Sequence, residues 1–402
     1  MKYIVILGDG MADYPQASLN GKTPLQVAKK ENIDGICRVS EIGLCRTVPQ
    51  GMKPGSDVAN LSVLGYNVKE CYTGRSPLEA ASIGISLKDT DVTLRANLVT
   101  VSEEENYYDK TMIDYSAGEI STLEARELIE YLAKYINTDE IKLYSGISYR
   151  HCLVVDNGKI AGDFTPPHDI TGKKVKEYLP KSQIGLSRLE IMKKSYELLK
   201  DHPVNLKRIK EGKNPANSLW FWGEGTKPML QNYYERYGVK GAMISAVDLL
   251  KGIGKLSGME VIEVEGATGN YDTNFIGKAK ACLEVLNSGA DFCYIHMEAP
   301  DECGHHGDGC NKIYSIEQID KKVVKYLKEE LDKKGEEYSM LILPDHPTPL
   351  NTMTHAIDPV PYILYRSNEV KDGAPSYTEE NAKNSGVFIE SGEELMKKFL
   401  KK

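Results

Sequence analysis

The chain has no uninterrupted apolar run near the roughly 18 residues that a membrane-spanning helix requires, which argues against a membrane protein. Its N-terminal run, Met1-Lys2-Tyr3-Ile4-Val5-Ile6-Leu7, meets Gly8-Asp9 too soon to form the core of a signal peptide. The expectation is a soluble cytoplasmic protein. Positive charge is also in deficit: 50 Lys and Arg against 58 Asp and Glu leave a net charge of -8. That balance offers no overall field to nucleic acid or anionic lipid, although a small anion could still bind a local basic pocket. The eight cysteines (Cys37, Cys45, Cys71, Cys152, Cys282, Cys293, Cys303, Cys310) contain no C-x-x-C pair and are too sparse for a disulfide scaffold. They read as reduced thiols, mostly structural. Internal repeats and low-complexity tracts are not evident.

What is present is ordinary globular composition, 41% hydrophobic and 27% charged over 402 residues, enough for two or three domains or one large one. The short apolar run Tyr3 to Leu7 reads as a strand that stops at Gly8-Asp9-Gly10. Thr23-Pro24-Leu25-Gln26 then has the cap residue, proline and glutamine of a helix start. Ser121-Thr122-Leu123-Glu124 opens a second helix with apolar Leu128, Ile129, Leu132 and Ile136, and Ser315 with Gln318 is predicted to cap a third that ends at Gly335. Strand-like runs at Gly258 to Val264, Phe292 to Met297, Met340 to Leu343 and Val360 to Tyr365 alternate with helices, as in a largely parallel sheet. The middle of the chain breaks this alternation with strands at Thr93 to Val101 and Cys152 to Asp156 and the pair Pro166-Pro167. The pattern predicts an α/β core formed by residues 1–85 and 212–402, interrupted by a smaller α+β domain at 86–211.

Three strand-like runs end close to an acid: Leu7 before Asp9, Met297 before Asp301, and Leu343 before Asp345. One such aspartate is an ordinary turn residue, but ligands in open α/β sheets bind beyond the carboxyl ends of the strands, where three would converge. Five of the eight histidines (His296, His305, His306, His346, His355) fall within 60 residues of one another. Asp301 and His305 are four apart, Asp345 and His346 are adjacent, and His355 follows nine residues later. Mixed carboxylate and imidazole donors suit Zn²⁺ or Mn²⁺ better than Ca²⁺. His296, inside a strand pattern, reads equally as a hydrogen-bonded core histidine, and His306 as an outer or exposed residue. Ser56 follows Pro54-Gly55 and precedes Val58, Leu61 and Leu64 at helical spacing. It is either a plain N-cap or a nucleophile at a helix start whose free N–H groups favour phosphate.

The segments Gly8-Asp9-Gly10-Met11, Pro54-Gly55-Ser56-Asp57, Tyr72-Thr73-Gly74-Arg75-Ser76-Pro77-Leu78-Glu79-Ala80, Glu298-Ala299-Pro300-Asp301-Glu302-Cys303-Gly304-His305 and Leu343-Pro344-Asp345-His346-Pro347-Thr348-Pro349 occur in that order. Together they resemble the archaeal-type cofactor-independent phosphoglycerate mutases of the alkaline phosphatase superfamily, over nearly the whole chain. The resemblance implies a mostly parallel sheet with helices on both faces and an inserted lid. It also implies two divalent ions (manganese or zinc, with magnesium an alternative) and no 2,3-bisphosphoglycerate. Asp301, His305 and His355 would hold one ion, and Asp9, Ser56, Asp345 and His346 the other. Ser56 would carry the phosphoryl group between 2- and 3-phosphoglycerate while the lid keeps water out.

Where the family commonly reads Asp-Arg-x-Ala-Gly-Arg, this chain has Asp114-Tyr115-Ser116-Ala117-Gly118-Glu119, without the two arginines. The remaining basic candidates for gripping substrate are Arg95, Arg150 and His151, with Lys251 on the core side; each also reads as a surface or strand-edge charge. His168-Asp169 resembles another family segment and is expected near the cleft. Rival activities on the same scaffold are a phosphomonoesterase and a homoserine kinase, a label given to some bacterial relatives. A nucleotide loop at Asn20-Gly21-Lys22-Thr23 would need glycine at position 16, which is Gln16.

Overall fold

Aliphatic and β-branched runs too short for helices become strands in the computed structural model, which describes residues 1–402. In chain order these are β1 (Lys2–Gly8), β2 (Glu41–Cys45), β3 (Val92–Val101), β4 (Met112–Asp114), β5 (Ile141–Tyr144) and β6 (Arg150–Val155). They continue with β7 (Ser218–Thr226), β8 (Gly241–Ile244), β9 (Glu260–Ile262), β10 (Phe292–Met297), β11 (Tyr338–Leu343), β12 (Val360–Arg366) and β13 (Phe388–Ile389). Two units follow from the packing, one of Met1–Tyr72 with Met229–Lys402 and one of Thr73–Pro228.

The first unit holds an eight-stranded sheet in the order β13-β2-β12-β11-β1-β10-β8-β9. Only β12 runs against the rest: it pairs antiparallel with both β11 and β2. The central parallel strands β1, β10 and β11 are buried on both faces over most of their length, which explains their unbroken apolar sequence. Ile4 and Ile6 of β1 join a core with Phe275, Ala279 and Cys282 of the helix Phe275–Asn287. On the opposite face, Tyr3 meets Phe399 of the helix Gly392–Leu400 edge-on at 5.5 Å. Register then decides what converges. Gly8 lies opposite Met297 and Leu7 opposite Leu343, so β1, β10 and β11 end side by side.

The second unit is built differently. Its five strands are all antiparallel: β3 pairs with β4, β6 and β7, and β5 adds to β6. Leu128, Ile129, Leu132 and Ile136 of the helix Thr122–Ile136 pack into a separate core with Leu94, Leu98 and Leu153. This unit begins before residue 86 and ends after 211, the boundaries that the sequence suggests. The helix Ser76–Ser82 packs on β3, and β7 pairs with β3 from Val92 to Val99, so both belong here. Composition could not show this, because β7 joins β3 through a pairing remote in sequence.

Several helix signals behave as their chemistry dictates. Thr23 and Gln26 form a reciprocal capping box, and Ser121 accepts from Glu124 N. Ser315 does not start a helix. Asp308, about two turns earlier in the chain, caps the helix Gly309–Gln318, and Ser315 sits inside with its hydroxyl bonded to Asn311 O at 2.8 Å. The helix runs on through a π-helical segment, Ile319–Val324, to Lys334.

The segment lacking the two arginines is a closed turn. Ala117, Gly118 and Glu119 all have left-handed φ, of 49°, 65° and 52°. The Asp114 carboxylate accepts from Ser116 N, Gly118 N and Asn214 Nδ2, and Arg208 donates to Ala117 O. Four charge-assisted bonds hold a backbone that alanine and glutamate would otherwise avoid.

Candidate metal centre

Beyond the ends of β1, β10 and β11 the chain leaves the sheet at Asp9, Asp301 and Asp345, as the strand register requires. Asp301 lies in the first turn of the helix Ala299–His305, which brings His305 Nε2 to 3.3 Å from its carboxylate. After β11 a long loop carries His346 and returns His355 to the same place: His355 Nε2 is 3.5 Å from Asp301 Oδ1 and 2.9 Å from His305 Nε2. The donor atoms of Asp301, His346 and His355 lie within 4.8 Å of one another, and so do those of Asp9, Asp345 and His346. His346 is thus common to two adjoining triads. Ser56 is the first residue of the helix Ser56–Val63, with Gly55 as its cap and no side-chain capping bond. Its hydroxyl instead lies 3.4 Å from Asp9 Oδ2 and 3.3 Å from His346 Nε2. The plain N-cap alternative is therefore set aside.

Electrostatics make this arrangement costly without a cation. Asp9 and Asp345 are 1% and 0% exposed. Burial, followed by the neighbouring charges of Asp345 and Asp301, raises the Asp9 carboxyl well above the usual range. Asp9 Oδ1 is buried with no hydrogen-bond partner, and His346 Nε2, at 3.7 Å, is beyond hydrogen-bond reach. Burial would raise Asp301 too, but hydrogen bonds from His305 and His355 hold it well below the carboxylate range. The bond to Asp301 lifts His305 to about 9, whereas burial lowers His346. An orphaned carboxylate oxygen, facing acids and imidazole nitrogens at 3 to 4 Å, fits divalent cations of the Zn²⁺ or Mn²⁺ kind.

Other residues brought here were not singled out by sequence. Asn60, one turn after Ser56, donates to Ser56 O and to Asp345 Oδ2, both at 2.8 Å, and accepts from Tyr294 OH at 2.6 Å. Its spacing of four from Ser56 is the one signal that could have found it. His296 is a buried strand histidine with an outer role: its Nε2 lies 2.9 Å from Asp9 Oδ2, with Ser245 Oγ at 3.2 Å from Nδ1. Burial holds it at about 3, so it is neutral. Lys278 is fully buried and donates to His296 O at 3.0 Å; burial lowers it to about 8. His306 lies outside the cluster, its Nδ1 against Glu302 O.

The expected substrate cations separate. On β3 and β6, Arg95 pairs with Cys152, Asn97 with Arg150 and Ala96 with His151. Strand alternation therefore sends Arg95 and Arg150 to one face and His151 to the other, under the core that contains Leu153. His151 accepts from Gly146 N, is 4% exposed, and burial pulls it to about 3. His151 is thus on the opposite face of the sheet from Arg95 and Arg150. Arg95 Nε is 2.8 Å from Glu79 Oε2, an ion pair whose angle is poor for a hydrogen bond, and its guanidinium covers Trp222 at 4.2 Å. His168 is edge-on to the same Trp222 at 5.1 Å. Lys251 Nζ is 2.8 Å from Glu263 Oε2. No helix is long and apolar enough to cross a membrane.

Residues 37–205 match the family described as 2,3-bisphosphoglycerate-independent phosphoglycerate mutase. The enzyme of that name from Methanosarcina barkeri is 48% identical over 98% of both chains, and the one from Methanothrix thermoacetophila 47% over 99% of both. Among solved structures, a Pyrococcus horikoshii protein aligns with a TM-score of 0.82 at 29% identity, covering 100% of this chain and 97% of its own. The cofactor-independent phosphoglycerate mutase from Thermoplasma acidophilum shares the fold at 24% identity and a TM-score of 0.64, covering 100% of this chain and 99% of its own.

Proposed function

The chain belongs to the 2,3-bisphosphoglycerate-independent phosphoglycerate mutase family, and from that premise we propose that it interconverts 2- and 3-phosphoglycerate through a phosphoserine at Ser56. One observation carries the proposal. The Ser56 hydroxyl is released from capping at a helix N-terminus and stands within 3.4 Å of both Asp9 and His346.

In this reading Asp9, Ser56, Asp345 and His346 hold one divalent cation and Asp301, His305 and His355 another. When bound, the cations lower the pKa of the serine hydroxyl and offset the charge of the transferred group. Ser56 Oγ then forms a bond to phosphorus as the bond from phosphorus to one glycerate oxygen breaks. The free N–H groups of the helix start favour the anion that results. After the glycerate turns, its other hydroxyl takes the phosphoryl group and Ser56 regains its proton. Net, phosphoryl moves from one glycerate oxygen to the other and a proton moves the opposite way. Asn60 keeps Ser56 and Asp345 in register, and His296 keeps Asp9.

Residues 73–228 serve in this proposal as the substrate-binding lid, with Arg95 and Arg150 as the cations for the acid groups; their shared sheet face beside Trp222 supports that role. His151, behind the sheet, has none. Lys251 retains the part of a phosphate partner, exchanging Glu263 for the anion.

The test is a coupled assay with 3-phosphoglycerate, Mn²⁺ and no 2,3-bisphosphoglycerate. Turnover to 2-phosphoglycerate, with phosphate found on Ser56 by mass spectrometry after quenching, is the expected result. Release of inorganic phosphate alone would make the chain a phosphomonoesterase. Phosphate on another residue would overturn the mechanism.

A further inference from the structure

A lysine and an aspartate, both with fully buried side chains, lie behind the ligand loops and take no part in the chemistry above. Lys312, in the helix Gly309–Gln318, donates to Asp13 Oδ2 at 2.7 Å and to Thr348 O at 2.7 Å, with Ala12 O at 3.5 Å. The Asp13 carboxylate is itself saturated: it accepts from Tyr14 N, Gln16 Nε2 and Leu350 N. This ion pair ties the loop that follows Asp9 to the loop that carries His346. A buried pair so fully bonded fixes geometry more than it adds stability.

What it fixes is Thr348. The Thr348 hydroxyl touches two groups, Asp301 Oδ1 and His346 Nδ1, the latter at 3.3 Å. An ionised carboxylate can only accept, so the hydroxyl proton is committed to Asp301. The oxygen is then left as an acceptor, and the only proton that can meet it is on His346 Nδ1. With Nδ1 protonated, Nε2 carries the lone pair. Nε2 is the nitrogen 3.3 Å from Ser56 Oγ and 3.5 Å from Asp345 Oδ2. Two glycines make the space that Thr348 occupies. A Cβ on Gly304 would lie 2.5 Å from Thr348 O, and one on Gly10 would lie 2.6 Å from Thr348 Oγ1.

We propose that Thr348, clamped by the Lys312–Asp13 pair, is a positioning residue that selects the metal-binding tautomer of His346 and links the two triads. The proposal rests on the metal reading above. Outer partners of this kind commonly change metal affinity by roughly 10- to 100-fold.

The experiment uses the full-length apo-protein, titrated calorimetrically with Mn²⁺, and ¹⁵N imidazole NMR of His346. Wild type should show Nδ1–H and a bare Nε2. Thr348→Val, which keeps the shape and loses the hydroxyl, should weaken Mn²⁺ binding by roughly 10- to 100-fold with little change in melting temperature, and Thr348→Ser should restore it. Lys312→Met combined with Asp13→Asn, which removes both charges together, should weaken it in the same direction. Unchanged affinity in Thr348→Val, or Nε2–H in the wild-type apo-protein, would overturn the proposal. A wild type that binds Mn²⁺ and obeys these expectations but lacks mutase turnover would leave this inference standing and remove the functional one. Full mutase turnover with unchanged Mn²⁺ affinity in Thr348→Val would do the reverse.

Discussion

Residues Met1–Tyr72 and Met229–Lys402 bury Asp9, Asp301 and Asp345 in a cluster where one carboxylate oxygen has no partner, whereas Thr73–Pro228 buries arginines that it matches itself. Arg95 has Glu79, and Arg208 has Glu124 at 2.8 Å together with two carbonyls. The first arrangement gathers acids among imidazoles, and the second sets each of these arginines against an acid. A cluster of acids and imidazoles is what a divalent cation would answer, whereas an orphaned oxygen alone is not, since Asp91 Oδ1 of the second unit is one as well.

The sharpest way to break this contrast is at Ser56. Ser56→Ala removes a hydroxyl with no capping duty, so the fold should stand while turnover falls by more than about a thousandfold; near-normal kcat would end the argument. Chelation comes next. Stripping divalent ions should abolish activity and lower the stability of the first unit by about 2.7 kcal/mol for each ion lost, relative to ions at a hundredfold excess over their Kd. Hydrogen exchange should locate the loosening around β1, β10 and β11, and equal loosening in Thr73–Pro228 would contradict the contrast. In the other direction, Arg95→Leu leaves Glu79 with Arg75 alone, at 2.9 Å, and should cost the second unit about 1.5–3 kcal/mol, read by urea unfolding. Mn²⁺ affinity in that variant should not change.

The last effect is confined to acid pH. Burial holds His151 neutral, at about 3 against an ordinary 6.5. As pH falls through 6.5 the unfolded chain takes up the proton and the folded one does not, so this site's stability is complete above 6.5 and is lost as pH falls toward 3. His151→Gln should flatten that acid-side loss in unfolding titrations of the second unit. An unaltered slope would mean that His151 already titrates normally in the folded chain.

Sequence made the strand ends legible because parallel strands bury both faces and announce themselves as apolar runs: Phe292 to Met297 is β10 to the residue. Asp9, Asp301 and Asp345 were found for the same reason. Asn60 and Thr348 were not, since an asparagine in a helix and a threonine between prolines have ordinary local explanations, and their partners lie 285 and 47 residues away. That His151 and Arg150 lie on opposite faces is legible only once the strand is known, since neighbours in a strand point to opposite faces. Ser315 and Gln318 imitate a helix start in the interior of one, where a serine can bond back to the preceding turn. The boundaries of the second unit were missed because β7 and Ser76–Ser82 join it through pairings remote in sequence.

The turn at Asp114–Glu119 is closed by bonds from Asp114, Asn214 and Arg208, while the side chains of Tyr115 and Glu119 are exposed, that of Tyr115 edge-on to Tyr149 and His168. Its frame and its cargo are therefore separable. Such a turn works like a socket: arginine, tyrosine or glutamate can be exchanged at positions 115 and 119 while the backbone that presents them stays put. A lineage could retune what this turn offers to a ligand by single steps, none of which has to pass through a misfolded ancestor.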